Sequence, residues 1–225
     1  MEKKHNVSAS VIRRLPRYYR FLGELIKSGI IRISSRELSD RMGLTASQIR
    51  QDLNCFGGFG QQGYGYNIIE LHEEIGKILG IDKPTPAILI GAGNLGRAVA
   101  NHMDFDNRGF NLIGIFDQNK ELIGQEIKKV KIMDTTLIED FCKSRNPLVA
   151  FLCIPKTATS EICDKLIPLG VKGFWNFSHF DLSAKKYQNV VVENVHMSDS
   201  IMTLSYKINE LMNEQEQSTE EKPKS

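Results

Sequence analysis

The chain has 225 residues, 41% of them hydrophobic and 25% charged, which is the composition of an ordinary globular protein. This length allows one large domain or two small ones. No apolar run reaches the ~18 residues that a membrane span needs, and the N-terminus lacks the apolar core of a signal peptide, so a cytoplasmic protein is expected. The cysteines form no CxxC motif, which excludes a zinc ribbon and argues against a secreted disulfide scaffold. We expect four reduced, partly buried thiols: Cys55, Cys142, Cys153 and Cys163.

The net charge of +2 conceals an uneven distribution along the chain. Residues 1–60 carry eleven Lys and Arg against five Asp and Glu, a net charge of +6, so the rest of the chain has a net charge of −4. A basic N-terminal part joined to a mildly acidic larger part is typical of a nucleic-acid binder with a second module. The hydrophobic pattern also changes near residues 81–86, which places a domain boundary there.

The first predicted element is a helix whose apolar residues recur at helical spacing between Tyr18 and Ile26. Pro16 lies just before them and is expected in the first turn, where the N–H that proline lacks would have no partner in any case. This places the start of the first helix close to Pro16.

Two short helices are predicted around Gly43. The first covers residues 34–43, and the second opens at Thr45, whose side chain is a suitable N-cap. Such a pair predicts a helix-turn-helix, whose second helix enters the major groove of DNA. Ile49 and Leu53 are four residues apart and are expected to face the core of the domain. The polar residues between and around them are expected to point outward and read base edges: Ser47, Gln48, Arg50 and Gln51.

The segment from Gly57 to Tyr66 contains five glycines interleaved with aromatic residues. It predicts a tight hairpin, the wing of a winged helix. The alternative is a helical-hairpin interaction domain with ordinary solvated charges. The wing and the net charge of +6 favour double-stranded DNA as the partner.

After residue 84, short apolar runs alternate with helix-length segments, which predicts a parallel sheet with crossover helices. The predicted strands are Ala87–Ile90, Leu112–Phe116, Val130–Met133, Leu148–Ile154, Val171–Phe177 and Val190–Val192. The first strand runs into a GxGxxG motif that opens a helix, the context required of a dinucleotide-binding fold. Gly91 permits the tight turn, Gly93 lets a pyrophosphate approach the backbone, and Gly96 lets helix and strand pack closely. The predicted loop is Gly91, Ala92, Gly93, Asn94, Leu95 and Gly96.

The second predicted strand ends in Asp117, 21 residues after Gly96. A carboxylate at this place accepts hydrogen bonds from the adenosine ribose and repels a 2′-phosphate, which favours NAD(H) over NADP(H). Two alternatives stay open: Asp117 as an ordinary turn residue, and coenzyme A as a nucleotide-like ligand of a similar sheet.

No residue stands out as a catalytic acid or base, which a dehydrogenase needs in addition to its cofactor. His102, His179 and His196 are candidates by residue type only, and Cys153 is expected in the core. No metal site is predicted either, because His72 begins a zinc-protease pattern that lacks its second histidine. We therefore predict a regulator that senses a nicotinamide cofactor and not an enzyme.

Several stretches of the sequence resemble the Rex family of bacterial redox-sensing repressors. The most specific are TASQIRQDL at 45–53 and GYGY at 63–66, supported by RLPRYYR at 14–20, RISS at 32–35 and GFWNFS at 173–178. The resemblance covers nearly the whole chain except its tail. It implies a homodimer that binds an AT-rich inverted repeat when NADH is scarce and leaves the DNA when NADH closes the dimer. The rivals are an NAD-dependent oxidoreductase with an accessory DNA-binding head and a CoA-responsive regulator.

The implied fold class is α/β: an N-terminal winged-helix domain, a Rossmann domain with a doubly wound parallel sheet, and a C-terminal helix swapped between subunits. The last helix carries one apolar stripe from Met197 to Leu211, although periodicity alone allows it equally to pack on its own sheet. The expected bounds are 1–83 for the winged helix, 84–195 for the Rossmann domain, 196–212 for the dimerisation helix and 213–225 for a disordered tail.

The resemblance also adds residues to both sites. His102 and Pro155 join the glycine loop and Asp117 as expected NAD(H) contacts. The expected DNA contacts are Arg32, Ser35, Thr45, Ser47, Gln48, Arg50, Gln51, Gln61, Gln62 and Tyr64.

The sequence departs from the family in two places. The wing holds Gln61 and Gln62 where relatives usually carry basic residues, so attraction to phosphates should be weaker there. Some members link an arginine of the first helix, here Arg20, to an Asp that opens the last helix and a Tyr after the glycine loop. The matching positions hold histidines, so either Asp199 substitutes in this relay or the switch is built differently. If either histidine titrates near neutrality, the response to NADH varies with pH. The switch candidates are Arg20, His102, His196 and Asp199.

Overall fold

The computed structural model describes residues 7–57, 64–182, 187 and 189–220, with side chains up to residue 215. The chain divides into two compact units, residues 1–84 with 107–109 and residues 85–106 with 110–225. Each unit has its own hydrophobic core, as the change of hydrophobic pattern near residue 84 requires.

The N-terminal unit is built from four helices and a two-stranded antiparallel sheet among the described residues. Its elements are α1 (Ala9–Lys27), β1 (Arg32–Ile33), α2 (Ser35–Met42), α3 (Ala46–Asn54), β2 (Tyr66–Asn67) and α4 (Ile68–Leu79). One cluster of buried side chains joins all four helices, with Leu15, Leu22, Leu38, Ile49 and Ile75 fully buried. This core packs the two short helices against α1 and α4.

The first helix begins earlier than the sequence predicts. Ser8 caps it by accepting a hydrogen bond from the backbone N–H of Val11, so Pro16 lies inside α1 and not in its first turn. The prediction for Pro16 was therefore wrong. Because proline has no N–H, the carbonyl oxygen of Ile12, four residues earlier, loses its helical hydrogen bond. Ile12 and Pro16 are both on the exposed side of α1, where water can hydrogen-bond to that oxygen.

The second unit is a seven-stranded sheet with helices on both faces. Its strands are β3 (Thr85–Ile90), β4 (Phe110–Asp117), β5 (Glu126–Ile127), β6 (Val130–Asp134), β7 (Val149–Leu152), β8 (Gly173–Asn176) and β9 (Val191–Asn194). Its helices are α5 (Asn94–His102), α6 (Ile138–Arg145), α7 (Lys156–Leu166) and α8 (Met197–Glu220). The strand order is β5-β6-β4-β3-β7-β8-β9, and every pairing is parallel except that of β5 with β6. This is the predicted doubly wound sheet, and β5 escaped prediction because it is only two residues long.

Strand β3 shows why the sheet is covered on both sides. Ile88 and Ile90 belong to the cluster that contains residues of α6 and α7, whereas Ala87 and Leu89 belong to the cluster that contains residues of α5. All four side chains are almost completely buried. Alternate residues of a strand point to opposite faces, so a continuous apolar run is what a strand covered on both faces requires.

The last helix, α8, differs from the prediction in two ways. It continues to Glu220 and does not end at residue 212, because the chain has no glycine or proline from Met197 to Glu220. The predicted disorder of residues 213–220 is therefore not observed, while residues 221–225 lie outside the described residues. Its apolar side chains are exposed, which also excludes packing of the stripe on the helix's own sheet.

Candidate nucleotide and DNA sites

The helix-turn-helix forms where the sequence predicts it. Ser34 and Glu37 make a reciprocal capping box at the start of α2, with hydrogen bonds of 2.9 and 3.1 Å, and Gly43 ends the helix at a φ of 63°. The Thr45 hydroxyl then accepts a 3.1 Å hydrogen bond from the backbone N–H of Gln48 and so opens α3. The two caps limit the turn between α2 and α3 to three residues, Gly43 to Thr45.

Helix α3 buries one face and exposes the other, as predicted. Ile49 and Leu53 have relative exposures of 0% and 1%. The guanidinium Nη1 of Arg50 donates a 3.0 Å hydrogen bond to the Ser35 hydroxyl and so bridges α3 to the start of α2. Three of the predicted base-reading residues are exposed, and the fourth, Gln48, is half-buried: Ser47, Gln48, Arg50 and Gln51.

Sequence reasoning did not single out Asp52, which has no exposed surface. Its Oδ2 accepts hydrogen bonds from Arg14 Nε (2.6 Å) and Tyr18 Oη (2.9 Å). Its Oδ1 accepts from Arg14 Nη2 and Gln48 Nε2, both at 2.8 Å. Burial alone would raise the pKa of the carboxyl group, but the hydrogen bonds from Arg14, Gln48 and Tyr18 outweigh burial and lower it. The sequence did contain a signal that Asp52 is buried. Asp52 is three residues after the inward-facing Ile49, and residues three apart lie on the same face of a helix.

The β1–β2 pair lies beside the predicted wing. Arg32 on β1 and Tyr64 just before β2 are exposed, Tyr64 by 71% of its surface. Gly65 has a φ of 70°, and a Cβ there would lie 2.6 Å from the carbonyl oxygen of Ile33, so only glycine fits against β1. Residues 58–63 of the predicted hairpin, which include Gln61 and Gln62, lie outside the described residues, so the wing stays a prediction.

The glycine loop of the second unit leaves no room for a side chain at two of the three glycines of its GxGxxG motif. A Cβ on Gly91, whose φ is 94°, would clash with the carbonyl oxygen of Cys153, and a Cβ on Gly96 would clash with the carbonyl oxygen of Gly91. Gly93 caps α5, and a Cβ there would meet no atom within 4 Å. The loop is thus tight where strand and helix meet and open at the helix N-terminus, where an anion would bind.

Asp117 ends β4 directly beside this loop. Its Oδ2 accepts a 2.5 Å hydrogen bond from the backbone N–H of Ala92, and its Oδ1 accepts one of 2.8 Å from the backbone N–H of Asn119. The carboxylate therefore fixes both the glycine loop and the turn after β4. Each oxygen keeps a further lone pair for a hydroxyl donor.

A cavity of about 320 Å³ opens at the carboxyl ends of the central strands. Ligands of doubly wound sheets bind at this edge, where the strand order reverses. Pro155 borders the cavity and precedes α7, and its role in NAD(H) binding stays a prediction. The lining residues are Ile90, Gly91, Gly93, Asp117, Gln118, Thr135, Cys153, Ile154, Pro155, Ala158, Glu161 and Ile162.

The structure also places two further candidate residues, and the role of His102 in NAD(H) binding stays a prediction. Strand β7 ends at Leu152, so Cys153 is only half-buried, packing against the core on one side and lining the cavity on the other, and burial raises the pKa of its thiol to about 12. His102 is exposed at the last turn of α5, about 12 Å of helix away from Asn94, and is not part of the cavity wall. Cys142 and Cys163 are buried, and none of the four cysteines, all of which lie within the described residues, forms a disulfide.

The residues of the predicted relay are divided between the two units. Arg20 is exposed on α1 of the N-terminal unit. In the second unit the rings of His179 and His196 are nearly parallel with centroids 6.0 Å apart, and the backbone N–H of Asp199 donates a 3.1 Å hydrogen bond to the carbonyl of His196 at the start of α8. The relay itself stays a prediction.

A helix-turn-helix unit followed by a doubly wound sheet with a nucleotide-type glycine loop defines a DNA-binding regulator that carries a ligand-binding domain. Comparison with family models agrees, with residues 6–54 matching the N-terminus of a putative DNA-binding protein and residues 82–180 matching a CoA-binding domain. No described helix is long and apolar enough to span a membrane.

Whole-chain comparisons identify the family. The chain is 56% identical to the redox-sensing transcriptional repressor Rex of Thermoanaerobacter pseudethanolicus over 93% of both chains. It is 53% identical to Rex of Clostridioides difficile, over 91% of this chain and 97% of that one. The protein belongs to the Rex family of redox-sensing transcriptional repressors.

Solved structures of a Rex-family repressor named RSP have the same fold. The complex of RSP with NAD⁺ and operator DNA is similar at a TM-score of 0.85 and 52% identity, covering 96% of this chain and 98% of that one. The complex of RSP with NADH is similar at a TM-score of 0.84 and 50% identity, covering 94% and 98%.

Proposed function

We propose that this protein is a transcriptional repressor that binds an AT-rich inverted-repeat operator as a homodimer and leaves it when NADH binds. The observation that carries the proposal is the presence, in one chain, of an exposed recognition helix and of the glycine loop joined to Asp117. The relatives that match over nine tenths of the chain are named repressors and not enzymes. A repressor acts where the DNA is, so the protein works in the cytoplasm.

The residues of the second unit fit NAD(H). The open position at Gly93 and the free N–H groups at the start of α5 would hold the pyrophosphate, and the lone pairs left on Asp117 would accept the adenosine ribose hydroxyls. Pro155 borders the cavity beside them. The nicotinamide, when bound, supplies the redox signal, because its reduced and oxidised forms differ in charge and shape. The ionisable side chains in the described wall are Glu161, Asp117 and Cys153, and burial raises the pKa of the Cys153 thiol to about 12.

The exposed face of α3 would read the DNA, with Arg50 at its centre. Arg32 and Tyr64 flank it on the strand side. Gln61 and Gln62 replace basic wing residues, so the dependence of operator affinity on salt should be shallower than in relatives with a basic wing.

The homodimer would form through α8. Its apolar stripe is at least half exposed at each position in a single chain, which a second copy would cover by helix exchange: Met197, Ile201, Leu204, Ile208 and Leu211. NADH then acts by linkage, because a ligand that prefers the closed dimer lowers DNA affinity by its preference for that state.

Coenzyme A is the second candidate ligand, because residues 82–180 match a CoA-binding domain. The two ligands share an adenosine and a pyrophosphate, which the glycine loop and helix N-terminus suit equally. CoA carries a phosphate on its ribose, which the carboxylate of Asp117 would repel. This repulsion favours NAD(H).

The decisive experiment is fluorescence anisotropy of a labelled AT-rich inverted-repeat duplex bound to the full chain, titrated separately with NADH, NAD⁺ and CoA. We expect release by NADH at much lower concentration than by NAD⁺ and no release by CoA. The Arg50→Ala variant should bind the duplex ~1–3 kcal/mol more weakly if Arg50 reads a base. Tight binding that is indifferent to both nicotinamide forms would discard the sensor, and release by CoA would replace the ligand.

A further inference from the structure

The buried carboxylate of Asp52 has a fixed geometry. Within the described residues it is the only charged side chain that is buried, and each of its oxygens accepts two hydrogen bonds. Arg14 compensates the charge, and the loss of any of the donors would leave a lone pair of a buried carboxylate without a partner, which is unfavourable. Each donor around Asp52 is therefore held in one place.

This carboxylate also determines which way the amide of Gln48 faces. A carboxylate only accepts hydrogen bonds, so Gln48 must turn its NH₂ group towards Asp52 Oδ1, 2.8 Å away, and keep Oε1 on the other side. One N–H of the amide is used in this bond. The other N–H and Oε1 are left together, and this pair matches N7 and N6 of adenine in the major groove.

Gln48 is also at the right place on its helix. It is the third residue of α3 and is partly exposed. In a helix-turn-helix the N-terminal residues of the second helix are those that contact base edges. Its neighbours Ser47 and Gln51 are more exposed, and of these three residues only Gln48 has a described hydrogen bond to Asp52.

We propose that Gln48 reads one adenine in each half-site and that Asp52 is a positioning residue that holds its amide in the reading orientation before DNA binds. This inference rests on the proposed function only in that α3 binds duplex DNA. A glutamine that is already ordered loses little conformational freedom on binding, so recognition of that base pair does not have to offset an ordering cost.

The test uses the full chain and an AT-rich inverted-repeat duplex in which each adenine of a half-site is replaced in turn by 7-deazaadenine, which lacks the N7 acceptor. One replacement should weaken binding of the wild type by about tenfold. The same replacement should have no effect on Gln48→Met, which keeps the volume of the side chain but has no amide. Asp52→Asn should lose most of the discrimination too, because a neutral amide at position 52 no longer dictates how Gln48 is turned.

Tyr18→Phe is the matched control. It removes a 2.9 Å hydrogen bond to the same carboxylate, but at Oδ2, whereas Gln48 is bound at Oδ1. We expect a lower thermal midpoint with the adenine discrimination retained. If Asp52→Asn does not fold, Gln48→Met and Tyr18→Phe still decide the matter, since both keep the Arg14–Asp52 pair.

Four results would overturn the inference: a loss of binding of about tenfold on 7-deazaadenine replacement in Gln48→Met, indifference of the wild type to every replacement, full adenine discrimination in a folded Asp52→Asn, or loss of that discrimination in Tyr18→Phe. A wild type that binds the unmodified duplex and releases it with NADH, yet is indifferent to all replacements, would contradict this inference alone. Binding that NADH does not change would contradict the proposed function and leave the role of Gln48 testable.

Discussion

At the scale of single residues, a methyl group added to the glycine loop should have opposite consequences at two positions. In Gly93→Ala the new Cβ meets no atom within 4 Å, so the thermal midpoint should stay unchanged while NADH affinity falls by about tenfold or more, since the methyl group would stand where the pyrophosphate approaches. In Gly96→Ala the Cβ clashes with the Gly91 carbonyl, which should cost about 1–3 kcal/mol of folding free energy. Thermal unfolding and fluorescence titration with NADH measure both. Wild-type NADH affinity in Gly93→Ala would contradict the proposed pyrophosphate position.

His72 gives the N-terminal unit a dependence on pH. Its ring stacks on Tyr19, with centroids 3.9 Å apart, and burial lowers the pKa of the imidazole against a smaller opposing effect of Glu73. The unfolded chain, with a histidine pKa near 6.5, then binds more protons than the folded chain as the pH falls. We expect the free energy of unfolding to fall as the pH drops through about 6.5 towards the lower pKa of the folded state.

Urea unfolding between pH 7.5 and 5.5 measures this effect. His72→Phe is the matched variant, because phenylalanine can keep the stack on Tyr19 and cannot titrate. The loss of stability at low pH should be smaller in the variant than in the wild type. An equal loss in both would assign the pH dependence to other groups.

At the scale of elements, α8 is a long helix whose apolar stripe has no cover within one chain. A charge in the middle of the stripe, as in Leu204→Asp, should shift the protein from dimer to monomer and weaken operator binding, since two half-sites can no longer be bound together. Asn213→Asp places a charge on the opposite face of α8 and should leave the dimer intact. Light scattering reports the mass of each variant. A Leu204→Asp protein with the mass of the wild type would place the dimer interface elsewhere.

The elements that sequence could predict are those whose residues have a local task. Gly43 ends a helix and Thr45 opens one within their own turn, so the helix-turn-helix is readable from neighbouring residues. The local pattern could have placed Asp52 on the inward face of α3, but not its pairing, because its main partner, Arg14, lies 38 residues earlier in the chain. The start of α1 was misplaced because a local preference, that of proline for the first turn, was given too much weight. A preference of proline for first turns is weak beside the cap at Ser8 and the continuous apolar face of that helix.

The cavity shows the same limit at the scale of a site. The glycine motif and Asp117 were readable because they follow strands at fixed distances along the chain. Cys153 and Glu161 line the cavity because β7 ends at Leu152, one residue before Cys153, and because α7 carries Glu161 to the cavity wall. Both positions depend on how the strands and helices pack, which the local sequence does not report. His102 was expected there from the resemblance alone, and the length of α5 carries it away from the wall.

At the scale of the whole molecule, the sensor makes a prediction that does not depend on how its two units are arranged. Binding free energies of two ligands are reciprocal, so operator DNA must weaken NADH binding by the same factor by which NADH weakens operator binding. With a coupling of roughly 5- to 150-fold, as is usual for allosteric proteins, the effect is measurable from either side. NADH fluorescence titrations with and without saturating operator duplex give one factor, and anisotropy of the duplex with and without saturating NADH gives the other.

A duplex of the same composition with the inverted repeat scrambled is the control, and it should leave NADH affinity nearly unchanged. Since the N-terminal segment carries a net charge of +6, both factors must be measured at one salt concentration, because DNA affinity falls steeply with salt. Equal factors are expected if a single equilibrium between two states of the dimer joins the sites. Release of DNA by NADH without any matching effect of operator on NADH affinity would show that NADH competes through aggregation or another irreversible step, and not through a shared conformational equilibrium.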